Sequence, residues 1–258
     1  MAMEEQTLDQ MSADLPQMQR QSANEEILSA SAVRAGYGKK EVLAAITFGV
    51  KAGSIVAMIG PNGSGKSTLL KTVFGLVAAW EGAVVFDGES CLKLKPPELI
   101  ARGLVYVPQG NRVFGDLTVQ QNLTVSLRGV TKAEKRQRLD EMAELFPAIR
   151  EFMRKPAAKL SGGEKQQVAL AMGLMKKPKM LLLDEPSLGL APNLLGDVFE
   201  QLHQINRHMG VTILIVEHKV REVFKIADWV LGLRRGEVIG AAKPEAFDET
   251  RLKDLFLG

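Results

Sequence analysis

The sequence predicts an α/β fold: a mainly parallel central sheet flanked by helices, with an antiparallel β edge and a helical insertion. Three observations support this prediction. From residue 27 onward, short apolar runs alternate with stretches of helical periodicity. Several of these runs are apolar throughout, which is typical of parallel strands buried on both faces. Between about residues 114 and 160 the chain is highly charged and shows no clear strand, so this stretch is expected to be a helical subdomain.

The strand predictions depend on short apolar runs bounded by turn residues. These runs are residues 54–60, 83–87, 104–107, 180–184 and 211–217. A helix is predicted over 66–75, after the glycine-rich turn that follows the first run. Another begins at Pro192, which suits a first helical turn, and ends at Gly210, which suits a helix C-terminus. Residues 229–233 and 237–240 flank an Arg-Arg-Gly turn and predict the antiparallel hairpin.

The first 26 residues differ in composition from the rest of the chain. They contain six acidic residues against a single Arg20, and they show no apolar period. Such a segment cannot bury enough apolar surface to fold, so residues 1–26 are expected to be a disordered extension. Because the whole chain carries a formal charge of +3, the remainder is basic. Residues 27–258 are expected to form one domain that includes the helical subdomain.

Composition excludes several classes of protein. With 46% hydrophobic and 24% charged residues, 24 glycines and 11 prolines, the chain is neither collagen-like nor a coiled coil. A single Cys91 cannot form an intrachain disulfide and indicates a reducing compartment. No apolar run approaches the roughly 18–20 residues of a membrane span, and the N-terminus lacks a secretory signal, so a cytoplasmic location is expected. The basic residues are scattered, so nucleic-acid binding is not expected.

A glycine-rich segment between the first apolar run and its helix fits the pattern G-x-x-x-x-G-K-[ST]. It consists of Gly60, Pro61, Asn62, Gly63, Ser64, Gly65, Lys66 and Ser67, followed by Thr68. The glycines let consecutive backbone N–H groups point at phosphate oxygens, and the helix directs the positive end of its dipole to the same place. Lys66 is expected to reach the β- and γ-phosphates, and the Ser67 hydroxyl to ligate Mg²⁺. The segment therefore predicts a nucleoside triphosphate site.

Two carboxylates follow the apolar run at 180–184. Asp184 and Glu185 are expected at the carboxyl end of this strand, beside the end of the strand that carries the glycine-rich segment. Asp184 would hold Mg²⁺ through water, and Glu185 would polarise the water that attacks the terminal phosphate. An Asp-Glu pair after a strand is often only turn chemistry. The neighbouring phosphate site favours the catalytic interpretation.

Residues 160–164 (Leu-Ser-Gly-Gly-Glu) closely match the LSGGQ signature, and from about residue 27 to 258 the chain resembles the ATPases of ABC transporters. The resemblance implies the nucleotide-binding domain of that family, a P-loop NTPase fold. It implies that Tyr37 stacks on adenine, that Gln109 acts at the catalytic and metal site, and that His218 is the switch histidine. It also implies that Ser161, Gly162 and Gly163 bind the ATP held by a partner chain.

Residues 184–192 and 107–114 are similar to the LivF-type ATPases of branched-chain amino-acid importers. The resemblance implies ATP hydrolysis that powers uptake of branched-chain or related amino acids through ATP-driven closure of a head-to-tail ATPase dimer. The implied partners are two membrane permease subunits, a second ATPase subunit (sister or self) and an extracytoplasmic solute-binding protein. The implied location is the inner face of the cell membrane, where the permeases hold the chain as a peripheral subunit.

Two residues depart from that group, and other cargoes stay open. Gln109 stands where many relatives carry Glu, and Met172 stands where an arginine is usual. The alternatives are an ABC ATPase for urea, short amides or lipopolysaccharide export, and a soluble ABC ATPase that acts on nucleic acid or ribosomes. A single ATPase domain, one cysteine and the lack of a heptad run disfavour the last alternative.

Overall fold

The computed structural model of the chain describes residues 26–127 and 129–257. Apart from Glu26, the predicted disordered extension therefore lies outside the described residues, and Glu26 itself begins the first strand. The strands are β1 (Glu26–Tyr37), β2 (Lys40–Lys51), β3 (Ile55–Ile59), β4 (Ala79–Phe86), β5 (Glu89–Ser90), β6 (Leu104–Val107), β7 (Met180–Asp184), β8 (Thr212–Val216), β9 (Trp229–Arg234) and β10 (Glu237–Ala242).

The helices lie in the connections between the strands and after the last strand. They are α1 (Lys66–Val73), α2 (Pro96–Ala101), α3 (Val119–Thr124), α4 (Lys132–Leu145), α5 (Pro147–Phe152), α6 (Gly162–Leu174), α7 (Pro192–Met209), α8 (Val220–Val223) and α9 (Glu249–Leu257), with 3-10 turns at Ala157–Lys159 and Pro244–Ala246. As predicted, Pro192 opens α7, and Gly210 ends it in a left-handed conformation with φ 65°. No helix among the described residues combines the length and apolar character needed to cross a membrane.

The larger sheet is mainly parallel, as the sequence predicts. Its strand order within the described residues is β10-β9-β3-β8-β7-β6. The inner strands pair in parallel, and β10 pairs antiparallel with β9, which confirms the predicted antiparallel edge. The carboxyl ends of β3, β6, β7 and β8 therefore meet at one edge of the sheet. Loops at this edge are where open α/β sheets bind their ligands.

A second, antiparallel sheet has the order β2-β1-β4-β5. The sequence pattern named no strand over 27–51, where β1 and β2 lie, and the strand that it predicted over 83–87 overlaps β4 of this sheet. Ala32 and Ala45 take left-handed conformations, with φ 48° and 57°, and the register between β1 and β2 shifts on either side of them. These irregularities interrupt the period-two alternation by which an antiparallel strand is recognised.

The core lies on both faces of the parallel sheet. The five residues of β3 are buried: Ile55, Ala57 and Ile59 pack toward the side of α6 and α7, while Val56 and Met58 pack toward α1 and the antiparallel sheet. This two-sided burial explains why β3 is apolar at every position. It also holds the end of β3, where the glycine-rich segment begins, as a rigid part of the structure.

The charged stretch from 114 to 160 contains α3, α4 and α5, so its predicted helical character is confirmed. Asn122 on α3 is fully buried. Its side chain accepts from the Phe114 N–H and donates to the carbonyls of Phe114, Leu117 and Thr118. These hydrogen bonds satisfy a buried amide and fix the entrance of the helical stretch against α3. The treatment of residues 114–160 as a separate subdomain stays a prediction.

Candidate active site

The glycine-rich loop connects β3 to α1 at the carboxyl edge of the parallel sheet. Gly65, the N-cap of α1, has φ 107°, and an added Cβ would lie 2.9 Å from the Leu43 side chain. At Gly60 an added Cβ would lie 2.0 Å from the Leu233 carbonyl oxygen, so both positions require glycine. No side chain caps α1, and its first turn holds no acidic residue. Its first N–H groups are therefore left to an anionic ligand.

Lys66 lies at the start of α1 with only 5% of its surface exposed. Its Nζ donates to the carbonyl oxygens of Gly60 and Pro61, at 2.9 and 3.0 Å. Burial lowers the pKa of Lys66, and the charges of Glu185 and Asp184 oppose that shift. The ammonium is thus held inside the loop, close to where phosphate oxygens would bind.

A cavity of about 510 Å³ opens in front of the loop, a volume within the usual range of small-molecule sites. It brings together most of the predicted ATP-binding residues of the first half of the chain with the two predicted catalytic residues of the second half. Its lining includes Tyr37, Asn62, Gly63, Gly65, Lys66, Ser67, Thr68, Glu185 and His218. Tyr37 stands at the mouth, 52% exposed, with its hydroxyl 3.5 Å from the Thr68 hydroxyl.

Asp184 ends β7 as a buried carboxylate that accepts two hydroxyl donors. The Ser67 hydroxyl donates to Oδ1 at 2.7 Å, and the Tyr106 hydroxyl donates to Oδ2 at 2.8 Å. Burial, with the adjacent Asp184 charge, raises the pKa of Tyr106 well above its usual range, so the phenol remains a donor.

The neighbouring hydroxyl and carboxylate oxygens of Ser67 and Asp184 fit Mg²⁺, which prefers oxygen ligands. Mg²⁺ uses few protein ligands where a substrate supplies phosphates. The described part of the chain contains no cluster of three or more His, Cys, Asp or Glu residues able to hold a metal.

Glu185 directly follows β7 and points into the cavity. Its backbone is left-handed, with φ 48°, a conformation that is costly for a residue with a side chain and common at functional sites. The Gln109 amide donates to Oε2 at 2.9 Å, and His218 Nε2 lies 2.9 Å from Oε1. The three predicted catalytic residues therefore meet at one carboxylate, although they come from the ends of β6, β7 and β8.

The predicted partner-facing segment lies elsewhere. Ser161 is the N-cap of α6: its hydroxyl accepts from the Glu164 N–H, and the Glu164 carboxylate accepts from the Ser161 N–H at 2.7 Å. Ser161 and Gly162 are exposed, and neither they nor Gly163 belong to the cavity lining. Within one chain the structure does not bring this segment together with the glycine-rich loop.

The sequence profile of the ABC transporter family matches residues 43–188, more than half of the chain. The chain belongs to the ABC transporter family. The match spans the glycine-rich loop, Gln109, the Ser161 segment and the two carboxylates. Members are ATPases, and the chain is accordingly an ATP-binding, ATP-hydrolysing subunit.

Two curated relatives are similar over nearly their whole lengths. The chain is 39% identical over 236 residues to the high-affinity branched-chain amino acid transport ATP-binding protein BraG of Pseudomonas aeruginosa, covering 90% of this chain and all of BraG. It is 36% identical to the probable branched-chain amino acid transport ATP-binding protein LivF of Archaeoglobus fulgidus, covering 88% and 96%. Among solved structures, the ADP conformation of MJ1267, an ATP-binding cassette of an ABC transporter, matches with a TM-score of 0.74 and 27% identity, covering 89% and 94%.

Tyr106 and Arg235 are among the residues near the site that were not predicted from the sequence. Tyr106 contacts Asp184 only because β6 lies beside β7 in parallel register, with Tyr106 opposite Leu182. Arg235 lines the cavity because the β9–β10 turn docks on the loop, where the Gly236 N–H donates to the Ser64 carbonyl oxygen at 2.9 Å. Both placements depend on contacts that are distant in sequence.

A third unpredicted residue, Glu217, did carry a sequence signal. It is an acidic residue at the end of an otherwise apolar run, directly before His218.

Proposed function

We propose that this ABC transporter ATPase powers the uptake of branched-chain or related amino acids. The names of BraG and LivF support this cargo, and so does the near-complete coverage of both proteins by the chain. The observation that carries the catalytic part is the Glu185 carboxylate, which Gln109 and His218 contact from both sides at the edge of a nucleotide-sized cavity.

In the proposed complex, the adenine of ATP stacks on Tyr37, whose exposed ring at the cavity mouth supports this role. The phosphates lie in the loop formed by Gly60, Pro61, Asn62, Gly63, Ser64, Gly65, Lys66, Ser67 and Thr68. The Lys66 ammonium exchanges its hydrogen bonds with the loop carbonyls for bonds to the β- and γ-phosphates. Ser67, Asp184 and Gln109 would hold Mg²⁺, which neutralises charge on the β- and γ-phosphate oxygens when bound.

Glu185 acts as the general base of the proposed hydrolysis. A water oxygen attacks the γ-phosphorus while the bond to the β–γ bridging oxygen breaks, and the Glu185 carboxylate accepts a proton from that water. The products are ADP and inorganic phosphate. His218 and Gln109 position the carboxylate, and His218 contacts the γ-phosphate as the switch histidine. The left-handed backbone at Glu185 supports this assignment, because such strain persists where geometry serves function.

Each ATP-binding site is completed by a second ATPase subunit, either a sister protein or another copy of this chain. Ser161, Gly162 and Gly163 of one subunit contact the γ-phosphate held by the other in a head-to-tail dimer. The exposure of Ser161, Gly162 and the Leu188 side chain supports a surface that is covered when the dimer closes. Hydrolysis removes the shared phosphate and lets the dimer open.

The permease partners dock beside the helical stretch. A cavity of about 260 Å³ between β6 and α6 has a mostly apolar lining that includes Val107, Arg112 and Met172. The nearby Phe114 side chain is 55% exposed, although Phe is usually buried in monomers. Through two such permease subunits the chain would lie on the inner face of the membrane, and an extracytoplasmic binding protein would deliver the amino acid.

Reconstitution into vesicles tests the proposal. The chain, its permeases and its second ATPase are incorporated with the binding protein and ATP, and entry of labelled leucine is measured. We expect uptake that stops with Glu185→Gln and continues with Glu200→Gln, which makes the same change on the exposed face of α7. ATP hydrolysis without leucine uptake, together with uptake of urea or a short amide, would overturn the assigned cargo.

A further inference from the structure

Glu217 is a buried acidic residue to which the proposed mechanism gives no role. It follows β8 at the carboxyl edge of the parallel sheet and is 1% exposed. Burial raises the pKa of its carboxyl, and hydrogen bonds from Ser187, His218 and Lys219 oppose that shift. No ion pair to Glu217 occurs among residues 26–127 and 129–257. A buried carboxylate without a cationic partner is costly unless several donors satisfy it.

The donors of Glu217 come from two separate loops. The Ser187 N–H donates to Oε1 at 2.8 Å, and the Ser187 hydroxyl donates to Oε2 at 2.9 Å. The same Oε2 accepts from the His218 N–H at 3.1 Å. One side chain therefore joins the turn that carries Glu185 to the segment that carries His218.

These two loops hold the partners of the central contact in the site. Ser187 lies two residues after Glu185, and the Glu185 backbone N–H is itself anchored to the Val216 carbonyl oxygen at 2.9 Å. A displacement of either loop would separate Glu185 from His218. The turn after Ser187 also presents the exposed Leu188 side chain, on the surface proposed to meet the second ATPase.

We propose that Glu217 is a positioning residue: it clamps the turn at 187–189 to the His218 segment and so holds Glu185 and His218 in hydrolytic geometry. The inference rests on the proposed role of Glu185. It assigns Glu217 no contact with nucleotide, since Glu217 does not line the cavity. The clamp should affect turnover and leave the phosphate loop unaffected.

Glu217→Gln tests the clamp. The amide has one acceptor oxygen where the carboxylate has two, so at least one of the Ser187 and His218 N–H donors loses its partner. We expect kcat for ATP to fall about tenfold or more, as for loss of a charge-assisted hydrogen bond, while the Kd for Mg-ADP stays unchanged. Glu217→Asp, which keeps the charge, should recover part of the activity. Glu200→Gln, the same change on the exposed face of α7, is the control.

Ser187→Ala provides a second measurement that does not depend on the folding of Glu217→Gln. It removes one hydroxyl donor and should lower kcat by a smaller factor, again at unchanged Kd for Mg-ADP. In the double variant the two losses should be less than additive, because they act through one contact. Additive losses, or a parallel rise in the Kd for Mg-ADP, would overturn the clamp.

Glu185→Gln in the same assay separates the two proposals. An inactive Glu185→Gln beside a folded, fully active Glu217→Gln would overturn the clamp alone. A fully active Glu185→Gln would overturn the assigned role of Glu185 itself.

Discussion

Two helices of this chain begin with glycine-containing segments, and their N-termini differ in capping and in charge. Helix α1 has Gly65 as its N-cap, no side-chain cap and no acid in its first turn. Helix α6 has Ser161 as its N-cap, and its first turn contains Glu164, whose carboxylate accepts the Ser161 N–H. Hydrogen bonds from Ser161 lower the pKa of Glu164, so that N-terminus carries a negative charge.

The difference has an electrostatic consequence for phosphate binding. A phosphate that approaches α1 meets free N–H groups and the Lys66 ammonium. A phosphate that approaches α6 meets a capping box with a carboxylate, and nothing in the cavity lining belongs to that segment. We infer that the surface at α1 binds nucleotide without a partner subunit. On the proposed dimer, helix α6 would contribute only when another subunit supplies the phosphate together with its lysine and metal.

The largest expected effect is a loss of ATP turnover that leaves nucleotide binding at the α1 site intact. Glu185→Gln removes the proposed base but keeps a similar shape, so ATP turnover should fall by about 10²–10⁴-fold while Mg-ADP binding is retained. Steady-state phosphate release and calorimetry measure the two quantities. Glu200→Gln on α7 is the matched control. Turnover equal to that of the unmodified chain would show that Glu185 is not the base.

The next largest effect tests the contribution of the Lys66 ammonium to nucleotide binding at α1. Lys66→Ala should raise the Kd for Mg-ADP about 10–100-fold, because it removes charge-assisted hydrogen bonds to phosphate. Lys71→Ala, near the other end of α1 and outside the cavity lining, is the control and should leave the Kd unchanged. If both variants bind Mg-ADP equally well, the glycine-rich loop is not the nucleotide site.

A smaller effect concerns the base of the nucleotide. Tyr37→Ala should raise the Kd for Mg-ADP about tenfold, within the range of base–aromatic stacking, and Tyr37→Phe should bind as the unmodified chain does. Fluorescence titration with a labelled ADP measures both variants. A loss with Phe as large as with Ala would assign the effect to the contact between the Tyr37 and Thr68 hydroxyls instead of the ring.

The smallest effect sharpens the contrast at α6. Ser161→Ala removes the capping hydroxyl and should lower ATP turnover about two- to tenfold, as for the loss of one hydrogen bond. It should also destabilise the chain by about 1 kcal/mol, the usual cost of a lost N-cap. Mg-ADP binding by the isolated chain should not change. Thermal unfolding, turnover and calorimetry on one preparation measure all three; weaker ADP binding would contradict the separation of the two surfaces.

The elements that the sequence predicted well are those with local signals. The glycine-rich loop and the apolar strand before Asp184 each depend on residues within a few positions of one another. The strands β1 and β2 were missed because Ala32 and Ala45 break their alternation. The contacts of Tyr106 and Arg235 join segments far apart in sequence, so no local pattern could reveal them.

Calorimetric titration of the isolated chain with Mg-ADP tests most directly whether each subunit holds one complete nucleotide surface and one that depends on a partner. ADP lacks the γ-phosphate that the second surface is proposed to contact. We expect one ADP per chain, a Kd raised by Lys66→Ala and the same Kd with Ser161→Ala. Two ADP molecules per chain, or equal weakening of Mg-ADP binding by both substitutions, would contradict this division between the two surfaces.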